Sequence, residues 1–438
     1  MNILPRGDKR LLNAWAFYDW ANSVYSLTIV STIFPIFYGV LFRTAGLTHL
    51  PIFGIAVKST SIITFVTALA FATVVFLSPI LSGIADYLGN KKSFMRFFCY
   101  LGALSCVGLY WFSLEHIYFG LFCYYCGVLG FWGSIVFYNS YLPDIALPEQ
   151  YDMVSAKGYS LGYAGSVLLL VINLIIVLRP EWVGFSDNDT ATTLMTMRIS
   201  FITVGIWWIG FSVIPFRYLP TYDKDRGQFS KKIFFNGFKE LRKVWQLLKA
   251  SRRIKWFLIA FLVYSMGVQT VMLVATYFGE QEIQWESESE STIGLIVSVL
   301  LIQLVAIVGA RLTVMAVKRW GNIAVLIGLN AIWIGICLLS YKVYQPFEFY
   351  IVAILVGVVM GGIQTLSRST YSAYLPETKD TTSFFSFYDI TEKIGIVIGM
   401  GIYGLIDQFT NNMRNATVSL ILFFGIGMLL LFKVRKGN

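Results

Sequence analysis

Two segments set the reading of this chain: Tyr138-Asn139-Ser140-Tyr141-Leu142-Pro143-Asp144 and Tyr371-Ser372-Ala373-Tyr374-Leu375-Pro376-Glu377. Both read Y-x-x-Y-L-P-acid, and each closes a long apolar run. A weaker pair, Gly89-Asn90 and Gly321-Asn322, repeats at nearly the same offset. A third echo sets Lys157 and Gly158-x-x-x-Gly162 against Lys393 and Gly395-x-x-x-Gly399. Small residues four apart let helices approach closely. Two matches at nearly one offset, with the third echo a few residues further on, indicate that the second half of the chain repeats the first.

Working outward, the apolar runs are long and many. Hydrophobic residues make up 57% of the 438 and charged residues 13%, half the roughly 25% of soluble domains. That is too few charges to coat two or three soluble domains. Runs long enough to span a bilayer fall at 14–41, 60–85, 94–114, 117–141, 157–178, 198–216, 255–279, 292–317, 322–341, 348–374, 384–406 and 415–433. The fold class expected is an all-α polytopic membrane protein of twelve transmembrane helices in two pseudo-symmetric six-helix bundles. The expected boundaries are 1–216 for the N-terminal bundle, 217–253 for a basic amphipathic linker and 254–438 for the C-terminal bundle.

Charge placement supports this map. With twelve spans, 26 Lys and Arg fall on the side of the termini and the middle loop, against 6 on the other. By the positive-inside rule the first side is cytoplasmic. The net charge of +10 is then a topogenic signal, not a nucleic-acid footprint. No cleavable signal peptide is read at the start. In the middle loop, Phe234, Phe238, Leu241, Trp245 and Leu248 recur at helical spacing among Lys231, Lys232, Lys239, Arg242, Lys243 and Lys249. This reads either as a helix on the anionic leaflet or as a spacer between the halves. Glu280, Glu282, Glu286, Glu288 and Glu290 form an acidic loop on the other side, read as a solvated turn.

Enzyme chemistry is poorly supported. The only histidines, His49 and His116, are isolated, and the five cysteines lie in apolar runs. No zinc set, nucleophile triad or phosphate loop is formed, and no cofactor is expected.

The charged residues inside spans carry the mechanism. Asp19 sits in Tyr18-Asp19-Trp20-Ala21-Asn22-Ser23, and a carboxylate at bilayer depth faces a cavity or a partner. With Asn22 and Ser26 it forms a polar stripe, read either as a proton or cation site or as an ion pair with a base on another helix. Arg368 near the end of the tenth span, with Asp389, Glu392 and Lys393 opening the eleventh, makes two acids and two bases. These can neutralise one another near the cytoplasmic mouth, read either as a gate that breaks and remakes or as a permanent structural network. Arg311 has no sequence-local partner and is read as a weaker candidate for an anionic group.

Ser82-Gly83-Ile84-Ala85-Asp86-Tyr87-Leu88-Gly89-Asn90-Lys91-Lys92 resembles the cytoplasmic loop motif of major facilitator transporters, G-x-L-A-D-R-x-G-R-K-K. Ser82, Tyr87 and Asn90 depart from it. Asp86 is placed to meet a helix N-terminus or a base of the other half, and Gly89 to turn the chain.

The Tyr18–Ser23 segment, Phe34-Pro35, Tyr138–Pro143, Gly158–Tyr163, Gly361-Gly362-x-Gln364-x-Leu366-Ser367-Arg368-Ser369 and Phe384–Tyr388 resemble one branch of that superfamily. The branch holds bacterial "unidentified major facilitator" proteins and the fungal autophagy-related vacuolar amino-acid effluxers. The resemblance implies a secondary active transporter of a small polar solute, with amino acids as the class it points to. Many members of the branch carry an acid where this chain has Met266. Alternating access is expected, coupled to protons through Asp19 and Asn22, with sodium as the other candidate ion. Cavity candidates are Ser26, Tyr138, Asn139, Tyr163, Gln269 and Gln364; gating candidates are Asp86, Gly89, Arg368, Asp389, Glu392 and Lys393. A monomer in the bacterial inner membrane, with both termini cytoplasmic, is the expected form. Lipid contacts it and nucleic acid does not. The rival reading is a membrane sensor or scaffold on a transporter fold.

Overall fold

A computed structural model describes residues 4–52, 54–185, 189–221, 232–410 and 412–435. The chain begins with α1 (Lys9–Val24), a π-helical turn (Tyr25–Val30) and α2 (Ile33–Thr44). A small antiparallel hairpin follows, β1 (His49–Ile52) with β2 (Ile55–Lys58). Next come α3 (Ser59–Leu88), α4 (Lys91–Gly108), α5 (Ile117–Ser140) and a single turn, α6 (Leu142–Ile145). The first half ends with α7 (Tyr151–Leu178) and α8 (Thr190–Tyr218). Helix α9 (Lys232–Ala250) connects to α10 (Arg252–Glu282), α11 (Glu288–Trp320) and α12 (Asn322–Ser340). The last elements are α13 (Pro346–Tyr374), α14 (Thr381–Thr410), α15 (Met413–Ser419) and α16 (Ile421–Arg435).

Among the described residues eleven helical segments are long and apolar enough to cross a membrane, so the chain is an integral multi-pass membrane protein. Helix α14 completes the set. Its 30 residues reach about 45 Å at 1.5 Å per residue, although it carries Asp389, Glu392, Lys393 and Asp407. The elements form the two six-helix bundles of the expected fold class.

Several elements differ from the sequence reading. Several helices, among them α3, α8, α10 and α11, run past the apolar limits, because polar residues at their ends continue the turn. The hairpin at 49–58 was not expected, since its residues alternate without forming a span. The first span is not one regular helix. Pro35 lacks an amide and its ring excludes the carbonyl four residues back. The chain widens before it, with the Ser31 amide donating to the Ser26 carbonyl at 3.1 Å, and restarts at Ile33. Within the linker, 222–231 and therefore Lys231 lie outside the described residues, as do the side chains of Lys232, Phe234 and Phe238. The Glu288 side chain of the acidic loop lies outside them too.

Glycines place the helices that carry the charged residues. A Cβ at Gly158 would stand 2.5 Å from an Asp19 carboxylate oxygen, and one at Gly162 2.5 Å from Ser23 Oγ. The repeat-related Gly395 and Gly399 press α14 onto α10 in the same way, against Ser265 and Thr270. Across the seam, α7 packs on α11 and α13, while α14 packs on α3 and α5. These contacts bring the ionisable residues of the two halves together.

Candidate functional site

A buried guanidinium lies at the centre of the seam. Arg368, six residues before the end of α13, is 1% exposed. Its Nε donates to Ser155 Oγ at 3.0 Å and its Nη2 to the Ser155 carbonyl at 2.9 Å. Nη1 donates to Asn139 Oδ1 at 3.2 Å, and both terminal nitrogens reach Asp19 Oδ2, at 3.4 and 3.5 Å. Tyr138 donates its hydroxyl to the same Asp19 oxygen at 2.6 Å. The guanidinium also lies 4.0 Å from the ring centre of Tyr159 and 4.8 Å from that of Trp15. Arg368 comes from the second bundle and every one of these partners from the first. The planar fork of Arg suits such a site, because it satisfies several acceptors while stacking on rings.

Arg368 does not join the acids of α14, as the sequence reading grouped it. It sits among residues of α1, α5 and α7 instead, because Gly158 lets α7 and α1 close around it. Lys393 instead pairs with Asp389 one turn away and holds its ammonium 3.9 Å from the ring centre of Trp132 on α5. Glu392 accepts from Gln269 Nε2 at 2.8 Å. The other Asp389 oxygen, Oδ2, is buried and has no hydrogen-bond partner among the described residues. Two separate charged clusters thus stand where one was expected, both reaching across the seam.

The other candidates are placed as follows. Tyr163 donates to Gln364 Oε1 at 2.5 Å, again across the seam. Asn22 is buried but bonds only Ser23, at 3.3 Å from its Oδ1, and its Nδ2 has no partner among the described residues. Ser26 is half-buried at the π turn. No hydrogen bond joins Asn22 or Ser26 to Asp19 among the described residues. Arg311 is exposed, away from both clusters.

Two further contacts tie the bundles together at the end nearest the termini. Asp86 accepts from the backbone amides of Thr382 and Ser383, at 3.2 and 2.6 Å. A carboxylate there satisfies the free N–H groups and the dipole of α14. Gly89, at φ +71°, turns the chain into α4. Lys91 follows and reaches the Ser140 carbonyl (3.0 Å), Thr381 Oγ1 (3.2 Å) and the Asp144 carboxylate. The pseudo-symmetric counterpart uses different chemistry. Asp152 at the start of α7 accepts from Asn322 Nδ2 at 2.8 Å and from Ser369 Oγ at 2.5 Å.

Sequence reasoning passed over Ser155, Tyr159, Trp132 and Asp152. A signal existed for two of them. Ser155, Tyr159 and Tyr163 recur every four residues and so share a helix face with Gly158 and Gly162. Nothing local marks Trp132 as a partner of Lys393.

Twelve helices in two related bundles, with buried charges meeting across the seam, define a secondary transporter of the major facilitator type rather than an enzyme. Residues 7–438 match the family described as "Vacuole effluxer Atg22 like", and the chain belongs to that family. It is 29% identical to the "Uncharacterized MFS-type transporter YxiO" of Bacillus subtilis (strain 168), over 96% of this chain and 93% of that one. It is 26% identical to "Autophagy-related protein 22" of Saccharomyces cerevisiae (strain S288c), over 87% and 79%. Among solved structures it resembles the major facilitator FucP in the outward conformation. The TM-score is 0.67 at 13% identity, covering 97% of this chain and 98% of that one.

Proposed function

We propose that this transporter moves a small polar solute of the amino-acid class by alternating access, coupled to protons. The bundles 1–216 and 254–438 are the rocking bodies and 217–253 is their tether. The protein works as a monomer in the bacterial inner membrane, with both termini cytoplasmic, a reading that the bias of 26 bases to 6 supports.

The observation that carries this reading is the Arg368–Asp19 pair. Its members belong to opposite bundles, so rocking must separate them. While the end nearest the termini is closed, the guanidinium neutralises the carboxylate. When that end opens, Asp19 faces the chamber without its cation, and binding a proton removes the cost of a lone charge at that depth. Asp19 is thus ionised in one state and proton-binding in the other, as coupling requires. Tyr163 and Gln364, which meet across the seam, and Gln269 and Glu392, which bond within the second bundle, would line the solute path.

The test is gradient-driven uptake of labelled amino acids into proteoliposomes. Asp19→Asn removes the titrating group but keeps a hydrogen-bonding side chain for Tyr138 and Arg368. The variant should lose accumulation driven by a pH gradient while keeping solute exchange. Undiminished gradient-driven accumulation by Asp19→Asn would overturn the coupling role.

A further inference from the structure

Helix α9 straddles the seam. It runs alongside α3 of the first bundle, while Val244 (0% exposed) and Leu248 (4% exposed) are buried in the apolar core of the second. Lys243 Nζ donates to Asp380 Oδ2 at 2.8 Å, and the Trp245 ring stacks on Phe387 with centroids 5.6 Å apart. Asp380 and Phe387 bracket Thr382 and Ser383, the amides that Asp86 of α3 holds. Asp86 and α9 therefore grip the same opening turns of α14. Parting α3 from α14 breaks the Asp86 contact, and α9 cannot follow both helices.

The outer side of α9 is basic. At 100° per residue, Lys239 and Arg242 fall opposite Val244 and Leu248 and Lys249 beside Arg242, and all three are exposed. Trp245 and Leu247 lie on the flanks, 47% and 39% exposed. Bases between a tryptophan and a leucine on one short helix are complementary to an anionic bilayer surface. We propose that this face binds the anionic leaflet and thereby holds α9 across the seam, so that anionic lipid favours closure of the end nearest the termini. Lys239, Arg242 and Lys249 contact the lipid; Lys243, Val244, Trp245 and Leu248 transmit the contact to α14.

The inference uses the rocking of the bundles proposed above but neither the solute nor the coupling ion. Its test carries anionic lipid in both leaflets, so it does not depend on topology. Full-length protein is placed in nanodiscs of phosphatidylcholine alone or mixed with phosphatidylglycerol, and hydrogen exchange is followed over 380–388. Phosphatidylglycerol should slow exchange at Thr382 and Ser383 several-fold in the wild type. The Lys239→Gln/Arg242→Gln/Lys249→Gln variant should match the wild type in phosphatidylcholine and show no slowing with phosphatidylglycerol. Lys243→Met should exchange faster in both lipids. The proposal is overturned if phosphatidylglycerol leaves wild-type exchange unchanged, as it would if the basic face served an acidic protein. Equal slowing in the triple variant, or unchanged exchange in Lys243→Met, would also overturn it.

Discussion

Arg368 holds five hydrogen bonds on four acceptor atoms and lies against three aromatic rings, so its neighbourhood tolerates little change. Removing one member of a buried ion pair leaves the other uncompensated, at a cost of about 3–5 kcal/mol. Arg368→Gln alone should therefore lower the thermal stability of purified protein markedly. Adding Asp19→Asn should restore much of it, because both sites are then neutral and can hydrogen-bond. Gradient-driven uptake should stay lost in the double variant, which separates stability from coupling. Gly158→Ala makes a sharper prediction. The new methyl would lie 2.5 Å from Asp19 Oδ2 and 3.0 Å from both Arg368 Nη2 and Tyr138 Oη. None of these atoms ends a side chain that is free to move. The variant should melt several degrees lower and lose transport, whereas Ala at Gly210, which meets nothing within 4 Å, should do neither.

At the scale of elements, the two bundles meet through helix ends. Asp86 accepts two amides at the start of α14, and a cap of this kind contributes about 1 kcal/mol. Asp86→Asn keeps one good acceptor and loses the charge. The prediction is a shift toward the state open at this end, read as faster thiol labelling of a cysteine placed on the seam, with little change in melting temperature. The pseudo-symmetric contact should respond to like charge. Asn322→Asp would set a second carboxylate where an amide now donates to Asp152 at 2.8 Å, and should open the same end by repulsion. A melting temperature that fell as far as in Gly158→Ala would show that these contacts hold up the fold rather than bias a conformation.

For the whole molecule, the charge bias predicts cytoplasmic termini, and fusions test that orientation directly. A fluorescent protein at the C-terminus should fluoresce in a bacterial host, and alkaline phosphatase fused in the hairpin region at residue 47 should be active. The opposite pattern would invert the assignment and place the Arg368–Asp19 pair toward the outside. Under the proposed coupling, orientation also decides which compartment would supply the proton. The closed end contains Asp19, Arg368, Asp86 and Asp152, so a proton can reach Asp19 from the compartment on that side only after these contacts part.

Span number, the repeat and the presence of charges at bilayer depth were legible in the chain itself, because each is local or periodic. A run of apolar residues, a glycine spacing and an isolated aspartate keep their meaning wherever the helix packs. For Asp86 the sequence left a helix N-terminus or a base of the other half as partners, and the fold supplies the N-terminus of α14. Choice of partner was not legible. Arg368 could meet the acids 21–24 residues downstream or an aspartate 349 residues upstream, and sequence distance favours the first. Packing chose the second, because Gly158 admits α1 against α7 and leaves a slot for a guanidinium between their side chains. Lys393 was left to Asp389 and the face of Trp132. Ionic contacts act over a few ångströms with no regard for chain separation. Only the arrangement of helices, set by which faces can approach, decides which charges meet.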